Sequence, residues 1–332
     1  MKILVTGGTG YIGSHTTVQL IEAGHEVVII DNLANSKESV LDKLKEITGT
    51  RPKFYKLDLL DADGLERVFS ENAFDTVMHF AGLKAVGESV EQPIRYYHTN
   101  ITGTLNLLAA MQKHNVKNII FSSSATVYGE PGTDNLSENL PTGQGITNPY
   151  GRTKYMIEEI LKDVCVADKD FSATILRYFN PVGAHKSGKL GEDPNGRPNN
   201  LMPIIMKVAS GEYPELSVYG NDYPTPNGTC IRDYIHVVDL AKGHLAALSK
   251  MHPGVEIYNL GTGKGTSVLE MITAFENASG EKLPYAIAER RAGDLPCLYC
   301  NPKKAETELG WKAELSISDV MEDTLRFLRA NF

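Results

Sequence analysis

Apolar segments that alternate with helical patterns constrain the fold of this chain more than any other feature of its sequence. Five of them are dense in Val, Ile, Leu and Phe, as buried strands are, and lie at Lys2–Thr6, Glu26–Asp31, Lys53–Asp58, Thr76–Phe80 and Asn118–Ser122. Helical patterns separate them, for example at Gly13–Ala23 and Ile101–Lys113, and a further strand at Ile175–Tyr178 follows a helix that begins near Pro149. This alternation predicts an α/β fold with a doubly wound parallel sheet and right-handed crossovers.

The composition and periodicity of the sequence change after Asn180. Residues 183–200 carry many Gly, Pro, Asn and charged residues with little periodicity, and so long a loop inside a compact domain is usually functional. Shorter, mixed elements follow it. We therefore expect a first domain over residues 1–180 and a smaller mixed α/β lobe over residues 181–332, with a soft boundary because the chain can cross back to the first domain.

A glycine-rich turn follows the first strand directly and opens a helix. Gly7, Gly10 and Gly13 permit a tight turn and close backbone approach, and the helix N-terminus offers N–H groups to a pyrophosphate. A phosphate-binding P-loop is excluded because Ser14 stands where its lysine should follow. Asp31 ends the second strand, where a carboxylate accepts hydrogen bonds from a ribose 2′-hydroxyl and repels a 2′-phosphate, so NAD is favoured over NADP. The alternative is a plain turn with a capping Asp.

A reactive centre is predicted late in the first domain. Ser122–Ser124 lies at the carboxyl end of the fifth strand, where open α/β sheets bind ligands. Tyr150 and Lys154 lie on one face of a helix that Asn148 and Pro149 begin. The ammonium, the helix N-terminus and a nicotinamide cation would favour the phenolate, which could then take a hydroxyl proton during hydride transfer. A Tyr–Lys pair at this spacing is more often structural, but the glycine turn and the strand-end serine favour catalysis.

Composition limits the partners of the chain. Its 332 residues include 33 basic and 41 acidic ones, a net charge of −8 that argues against nucleic-acid binding. We find no apolar run long enough to span a membrane and no signal-peptide pattern. Cys297-Leu298-Tyr299-Cys300 is a CxxC without the second pair that zinc needs, so no metal is expected. With four scattered cysteines, the chain is expected in the cytoplasm.

The chain resembles the extended short-chain dehydrogenase/reductase family and, within it, the epimerases that act at C4 of UDP-hexoses. The segments that carry this resemblance are TGGTGYIGSH (6–15), DNLANS (31–36), HFAGLKAVGES (79–89), SSSATVYG (122–129), LRYFNPVGAH (176–185), PNNLMP (198–203), YGNDYPTPNGTCIRDYIHV (219–237) and RRAGDLP (290–296). The resemblance implies a Rossmann-type NAD-binding domain, a UDP-sugar-binding lobe and a homodimer. It also implies interconversion of UDP-galactose and UDP-glucose, in galactose metabolism, by transient hydride transfer to tightly bound NAD through a 4-keto intermediate.

Residue roles are carried over from the family position by position. The catalytic residues would be Ser124, Tyr150 and Lys154. Positions matching the NAD contacts are Gly7, Gly10, Tyr11, Ile12, Gly13, Asp31, Asn32, Leu33, Ala34, Asn35, Ser36, Asp58, Leu59, Phe80, Ala81, Gly82, Leu83, Lys84, Asn100, Ser124, Tyr150, Lys154, Tyr178 and Phe179. Positions matching the UDP-sugar contacts are Lys84, Ser124, Tyr150, Asn180, Asn200, Leu201, Ser217, Val218, Tyr219, Arg232, Arg291, Asp294 and Leu298.

Four alternatives stay open at this point. A nucleotide-sugar 4,6-dehydratase would need an acid–base pair after the strand-end serine, where this chain has Ala125-Thr126. A non-catalytic NAD sensor and an oxidoreductase with free NAD as co-substrate are further possibilities. Alignment places Leu298 at the gate beside the sugar, where a small residue accompanies acceptance of N-acetylated sugars and a tyrosine their exclusion. We expect a preference for the plain hexoses; the fourth alternative is UDP-N-acetylhexosamine as main substrate.

Overall fold

The computed structural model describes residues 1–196, 198–291 and 293–332. The strands are β1 (Lys2–Thr6), β2 (Glu26–Asp31), β3 (Lys53–Lys56), β4 (Thr76–His79), β5 (Asn118–Ser124), β6 (Asn135–Leu136), β7 (Ser172–Tyr178), β8 (Asn180–Val182), β9 (Leu216–Tyr219), β10 (Ile231–Arg232), β11 (Tyr234–His236), β12 (Gly254–Leu260), β13 (Thr266–Ser267), β14 (Tyr285–Ala288) and β15 (Cys297–Cys300). The α-helices are α1 (Tyr11–Glu22), α2 (Val40–Thr48), α3 (Ala62–Ser70), α4 (Val86–Glu91), α5 (Pro93–Tyr97), α6 (Gly103–Lys113), α7 (Pro149–Ala167), α8 (Leu201–Ala209), α9 (Val237–Leu248), α10 (Val268–Ser279) and α11 (Ile317–Asn331).

The central sheet has seven parallel strands in the order β12-β7-β5-β4-β1-β2-β3. Its strands are continuous apolar runs because helices cover both faces. Residues of α3, α6 and α7 pack on one face, and residues of α1, α2 and α9 on the other. The predicted α/β fold class is thereby confirmed, with the order of connections typical of a Rossmann-type sheet.

Individual bounds differ from the sequence prediction at several carboxyl ends. The predicted strand Lys53–Asp58 ends at Lys56 and Thr76–Phe80 ends at His79, whereas Asn118–Ser122 continues to Ser124. The predicted helix at Ile101–Lys113 begins as a π-helical turn over His98–Thr102 and continues as α6. These differences fall where the chain leaves the sheet, since polar loop contacts replace the apolar periodicity there.

The seventh strand of the sheet, β12, comes from beyond residue 180 and pairs with β7 along its whole length. The chain therefore crosses back to the first sheet after α9. The second lobe has its own apolar core, to which β9, α8, α10 and α11 contribute. Three smaller sheets complete it: a four-stranded one in the order β13-β10-β15-β6, and the pairs β11-β8 and β14-β9. The division at residues 180 and 181 stays a prediction.

Candidate active site

The glycine turn between β1 and α1 has the close approach that its sequence predicts. Gly7 has φ +72° and lies against the β4 loop, so that a Cβ there would meet the Ala81 amide nitrogen at 2.8 Å. A Cβ at Gly13 would lie 2.2 Å from the Gly7 carbonyl oxygen. Gly10 is the N-cap residue of α1 and has no side chain that could bond the helix end. The N–H groups of Tyr11 and Ile12 therefore have no side-chain cap in front of them. A turn this tight at a helix N-terminus fits the diphosphate of a dinucleotide.

Asp31 holds the loop after β2 rather than projecting freely. Its Oδ2 accepts a hydrogen bond from the Thr9 N–H at 3.2 Å, and its Oδ1 accepts from the Leu33 N–H at 2.9 Å and the Ser36 hydroxyl at 3.2 Å. The carboxylate therefore ties the glycine turn to the loop 32–36. Leu33 takes φ +62°, an uncommon conformation for a residue with a Cβ, which Asp31 helps to stabilise.

The loop after β3 carries the residues that are expected to border the adenine. The Asn32 amide donates to Asp58 Oδ2 at 2.8 Å, and the Leu60 N–H donates to Asp58 Oδ1 at 2.9 Å. Leu59 is buried in the core beneath. The residues expected to hold the adenosine thus lie on two adjacent loops, at the carboxyl ends of β2 and β3.

Asn100 joins the β4 loop to the catalytic helix. Its Oδ1 accepts from the Leu83 N–H at 2.8 Å, and its Nδ2 donates to the Leu83 carbonyl at 3.0 Å and to Thr153 Oγ1 at 3.0 Å. The Thr153 hydroxyl in turn donates to the Tyr150 carbonyl at 2.8 Å. Asn100 is 3% exposed, and it sits in the π-helical turn, which aims its side chain away from the regular helical row. Thr153 was not predicted from the sequence.

The three predicted catalytic residues converge at the ends of β5 and α7. Ser124 is the last residue of β5, and Asn148 caps α7 by accepting from the Gly151 N–H at 2.8 Å, as predicted. Tyr150 and Lys154 then project from the first turns of α7. Lys154 Nζ donates to the Ser122 carbonyl at 2.6 Å and lies 5.9 Å from the centre of the Tyr150 ring.

Burial and neighbouring polar groups act on the pKa of Tyr150 in opposite directions. Burial raises it above the ordinary value, while a hydrogen bond with Ser124 and the charge of Lys84 lower it in part. Burial also lowers the pKa of Lys154 to about 8, against the opposing charge of Glu158. In the chain without a bound cofactor, desolvation outweighs the neighbouring groups that favour the phenolate. The expectation that Lys154, the helix end and a nicotinamide cation together favour it stays a prediction.

Lys84 has a buried partner that the sequence did not reveal. Its Nζ lies 2.9 Å from Glu192 Oε1, which also accepts from the Asn200 amide at 2.7 Å. Glu192 is only 5% exposed. Burial would lower the pKa of Lys84, but the Glu192 carboxylate overrides it and raises that pKa. Glu192 lies in the long polar loop 183–200, which was the one signal in the sequence that pointed to it.

Aromatic side chains lie in the part of the site where the nicotinamide is expected. The Tyr178 hydroxyl is hydrogen-bonded to His244 Nε2, and burial raises the pKa of Tyr178. The Phe80 and His244 rings lie 4.9 Å apart. Phe179 is buried among the residues around Val127. His79, expected to be a core residue, is one: its two ring nitrogens bond the hydroxyls of Thr6 and Thr104 at 2.8 and 2.9 Å.

Two predicted arginines of the second lobe, Arg232 in β10 and Arg291 in the loop before β15, are oriented by neighbouring groups. Arg232 Nη1 donates to the carbonyl oxygens of Ile231 and Leu295, both at 2.8 Å, and its Nη2 lies 3.5 Å from Asp294 Oδ1. The Arg291 guanidinium stacks 3.9 Å from the centre of the Tyr219 ring. Among residues 1–196, 198–291 and 293–332, no carboxylate makes a bidentate contact with either guanidinium group.

The remaining predicted substrate positions differ in how far they are buried. Leu298 stands opposite Arg232 in the register of β10 and β15 and packs on the apolar cluster that contains Phe179. Asn180 and Ser217 are exposed, and Leu201 is half-buried. Val218 is only 1% exposed, in the core of the second lobe. Val218 stays a predicted substrate position, and because its side chain is buried, its contact with a ligand would be through the backbone.

Within residues 1–196, 198–291 and 293–332, no three or more His, Cys, Asp or Glu side chains form a group that could hold a metal ion. Cys297 and Cys300 both lie in β15 and are free thiols. No helix in the described part of the chain is long and apolar enough to cross a membrane.

The sheet order, the glycine turn and the Ser–Tyr–Lys arrangement together define a short-chain dehydrogenase-type enzyme site. The chain belongs to the NAD dependent epimerase/dehydratase family, whose sequence profile matches residues 3–261. This confirms the predicted family.

Similarity to individual proteins is narrower than the family and extends over the whole chain. UDP-glucose 4-epimerase of Bacillus subtilis is 56% identical over 333 residues, covering 100% of this chain and 98% of the relative. The human protein of the same name is 54% identical over 338 residues, covering 99% and 97%. The crystal structure of UDP-glucose 4-epimerase from Bifidobacterium longum in complex with NAD+ and UDP is 55% identical, covers 100% of this chain and 99% of that chain, and has a TM-score of 0.97.

Proposed function

We propose that this protein is an isomerase that epimerises C4 of a UDP-hexose with bound NAD, interconverting UDP-galactose and UDP-glucose. The observation that carries the proposal is the position of Tyr150. It lies beside Ser124, whose hydroxyl lowers its pKa in part, and one turn from Lys154, at the sheet edge that the glycine turn shares. This is the activity that the resemblance implied, and the full-length relatives are named for it.

The chain offers a cradle that fits NAD. The glycine turn and the end of α1 would hold the diphosphate, since Gly7 and Gly13 let the turn pack closely against the β4 loop and against itself, where a Cβ would clash with backbone atoms. The loop 32–36 and Asp58 would hold the adenosine, and Lys84 the nicotinamide ribose. When bound, NAD supplies a hydride acceptor that later returns the hydride to the sugar.

Tyr150 moves the proton in this scheme. Its oxygen takes the proton of the C4 hydroxyl as the sugar is oxidised, and gives it back to the same oxygen of the 4-keto sugar as the sugar is reduced. Ser124 hydrogen-bonds that oxygen. Lys154, fixed by the Ser122 carbonyl, places a positive charge beneath the tyrosine and favours its ionised form.

Epimerisation requires the hydride to return to the opposite face of C4, so the hexose has to turn while the nucleotide stays. Contacts with the non-reacting nucleotide can hold the substrate throughout. Arg232 and Arg291 would bind the diphosphate by charge-assisted hydrogen bonds, and Asp294 a ribose hydroxyl. Two placed guanidinium groups explain how a chain of net charge −8 binds an anion.

The dehydratase alternative lacks its chemistry in this structure. Ala125 and Thr126 follow Ser124 in a short 3-10 turn, and neither side chain can serve as the acid or base that expels a C6 hydroxyl. The N-acetylhexosamine alternative depends on the size of the space beside Leu298.

Proton NMR of the purified protein with UDP-galactose, without added NAD, tests the proposal. Growth of the UDP-glucose anomeric signal is the expected result, since the cofactor is recycled on the enzyme. Tyr150→Phe should lower that rate by at least about 10²-fold while UDP still binds. No conversion, even after NAD is added, would overturn the proposal, and a 4-keto-6-deoxy sugar would favour the dehydratase instead. Dependence on stoichiometric NAD would favour an oxidoreductase.

We further propose a homodimer in the cytoplasm. Ile94 of α5 is 79% exposed, and Val90, Leu105 and Met156 of α4, α6 and α7 are 59%, 46% and 42% exposed. Helices α4, α5 and α7 pack against one another, and exposed apolar side chains on adjacent helices favour an interface between copies. The four free cysteines support a reducing compartment. Light scattering should give twice the chain mass, and Ile94→Asp should give a monomer.

A further inference from the structure

A short polar segment, residues 192–195, contacts both sides of the proposed NAD cleft. At one end, Glu192 Oε1 lies 2.9 Å from Lys84 Nζ. Asp193 Oδ2 then lies 2.5 Å from Lys37 Nζ. At the other end, the Asn195 amide donates to the Ser36 carbonyl at 3.2 Å and to the Ala34 carbonyl at 3.5 Å. We call residues 192–195 the strap.

The partners of the strap come from the two regions assigned to opposite ends of the dinucleotide. Lys84 stands where the nicotinamide ribose is expected, and the loop 32–36 where the adenosine is expected. The strap can extend about 11 Å between its first and last residue, so contacts at both ends hold it across the cleft between them. These contacts join segments about 108 and 160 residues apart in the sequence.

The two ends of the strap differ in how firmly they are held. Glu192 is 5% exposed, and Gly191 before it packs so closely that a Cβ would meet the Phe327 ring at 2.6 Å. Asp193 and Lys37 have side chains 34% and 52% exposed, and Gly196 after the strap has φ +77° with open space around it. The Asp193–Asn195 end is therefore the one at which the strap opens more easily, because its contacts with Lys37 and the loop 32–36 are polar and partly exposed.

We propose that Asp193 and Asn195 retain the cofactor: their contacts with Lys37 and the loop 32–36 close the adenosine end of the cleft and slow the release of NAD. The proposal rests on the function proposed above. An epimerase that returns the hydride to the sugar has no need to exchange its dinucleotide, so slow release costs nothing in turnover. Neither residue touches the reacting atoms, which makes them positioning residues.

The test is the exchange of bound NAD for isotope-labelled NAD in the holoenzyme, followed by desalting at timed intervals. Asn195→Ala removes two hydrogen bonds and should speed exchange by about fivefold to tenfold. Asp193→Ala removes an exposed ion pair and should speed it by about twofold to fivefold, and the double variant by roughly the product. Activity of the diluted double variant should decay with the same rate constant and return when NAD is added.

Lys189→Gln is the matched control. Lys189 belongs to the same long loop and makes an ion pair of the same kind, 2.6 Å from Glu46 of α2, but its partner lies away from the loop 32–36. Its exchange rate should equal that of the wild type. Equal exchange rates in the wild type and the double variant would overturn the proposal. The exchange assay contains no substrate and counts only bound label. The proposal about the strap can therefore fail in this assay independently of the outcome of the NMR assay for epimerisation.

Discussion

Arg177→Met is expected to destabilise the protein strongly because it breaks a completely buried ion pair beneath the active site. Arg177 and Glu158 have side chains only 2% and 0% exposed. The guanidinium donates to both oxygens of Glu158, at 3.0 and 2.6 Å, and to the Tyr128 hydroxyl at 3.0 Å. After the substitution, the carboxylate keeps the Ser123 hydroxyl, 2.5 Å away, as its hydrogen-bond donor, and it loses its counter-charge.

The magnitude follows from this burial. Removing one member of a buried pair costs about 3–5 kcal/mol, because the charge that remains is not compensated. In a chain of this size each kcal/mol lowers Tm by roughly 2 °C, so the loss should reach roughly 6–10 °C. Urea unfolding of wild type and variant, both with the same excess of NAD, measures the free energy of unfolding without a difference in ligand stabilisation.

Two further variants make the reasoning refutable. Glu158→Met with Arg177→Met should recover most of the loss, since two apolar side chains then fill the space of the pair. Arg95→Met breaks the exposed pair with Glu88, whose side chains are 49% and 36% exposed, and should cost less than about 1 kcal/mol. If Arg177→Met costs no more than Arg95→Met, or if the double variant is no more stable than the single one, burial of the pair is not the cause.

Asp31→Asn should weaken NAD binding by about tenfold, because an amide NH2 cannot accept the Thr9 N–H that Oδ2 accepts; titration calorimetry measures this, and an unchanged Kd would contradict it. Leu298→Ser should raise activity on UDP-N-acetylglucosamine relative to UDP-galactose, and an unchanged ratio would exclude Leu298 as the gate. Since burial lowers the pKa of Lys154 to about 8, its ammonium is present below that pH and lost above it. The value of kcat should therefore fall as pH rises through this range, and a flat profile up to pH 10 would contradict a role for the ammonium.

Features that depend on neighbouring residues were predictable from the sequence. The strands of the central sheet are apolar runs, the glycine turn needs backbone conformations that Gly7 permits, and Asn148 with Pro149 begins α7. Since the carboxyl ends of parallel strands share one edge of the sheet, the sequence alone predicted that Ser124 and the start of α7 lie close together.

Features that depend on which distant segments meet were decided by the tertiary structure. Glu192 reaches Lys84 across 108 residues, and Arg177 pairs with Glu158 from another element. The same holds for burial: the side chain of Val218 is packed against helices of the second lobe, and the pKa of Tyr150 is raised because the fold removes water from it. Periodicity and turn chemistry are set within a few residues of chain, whereas burial, and with it the strength of every charge in the site, exists only after the segments have packed together.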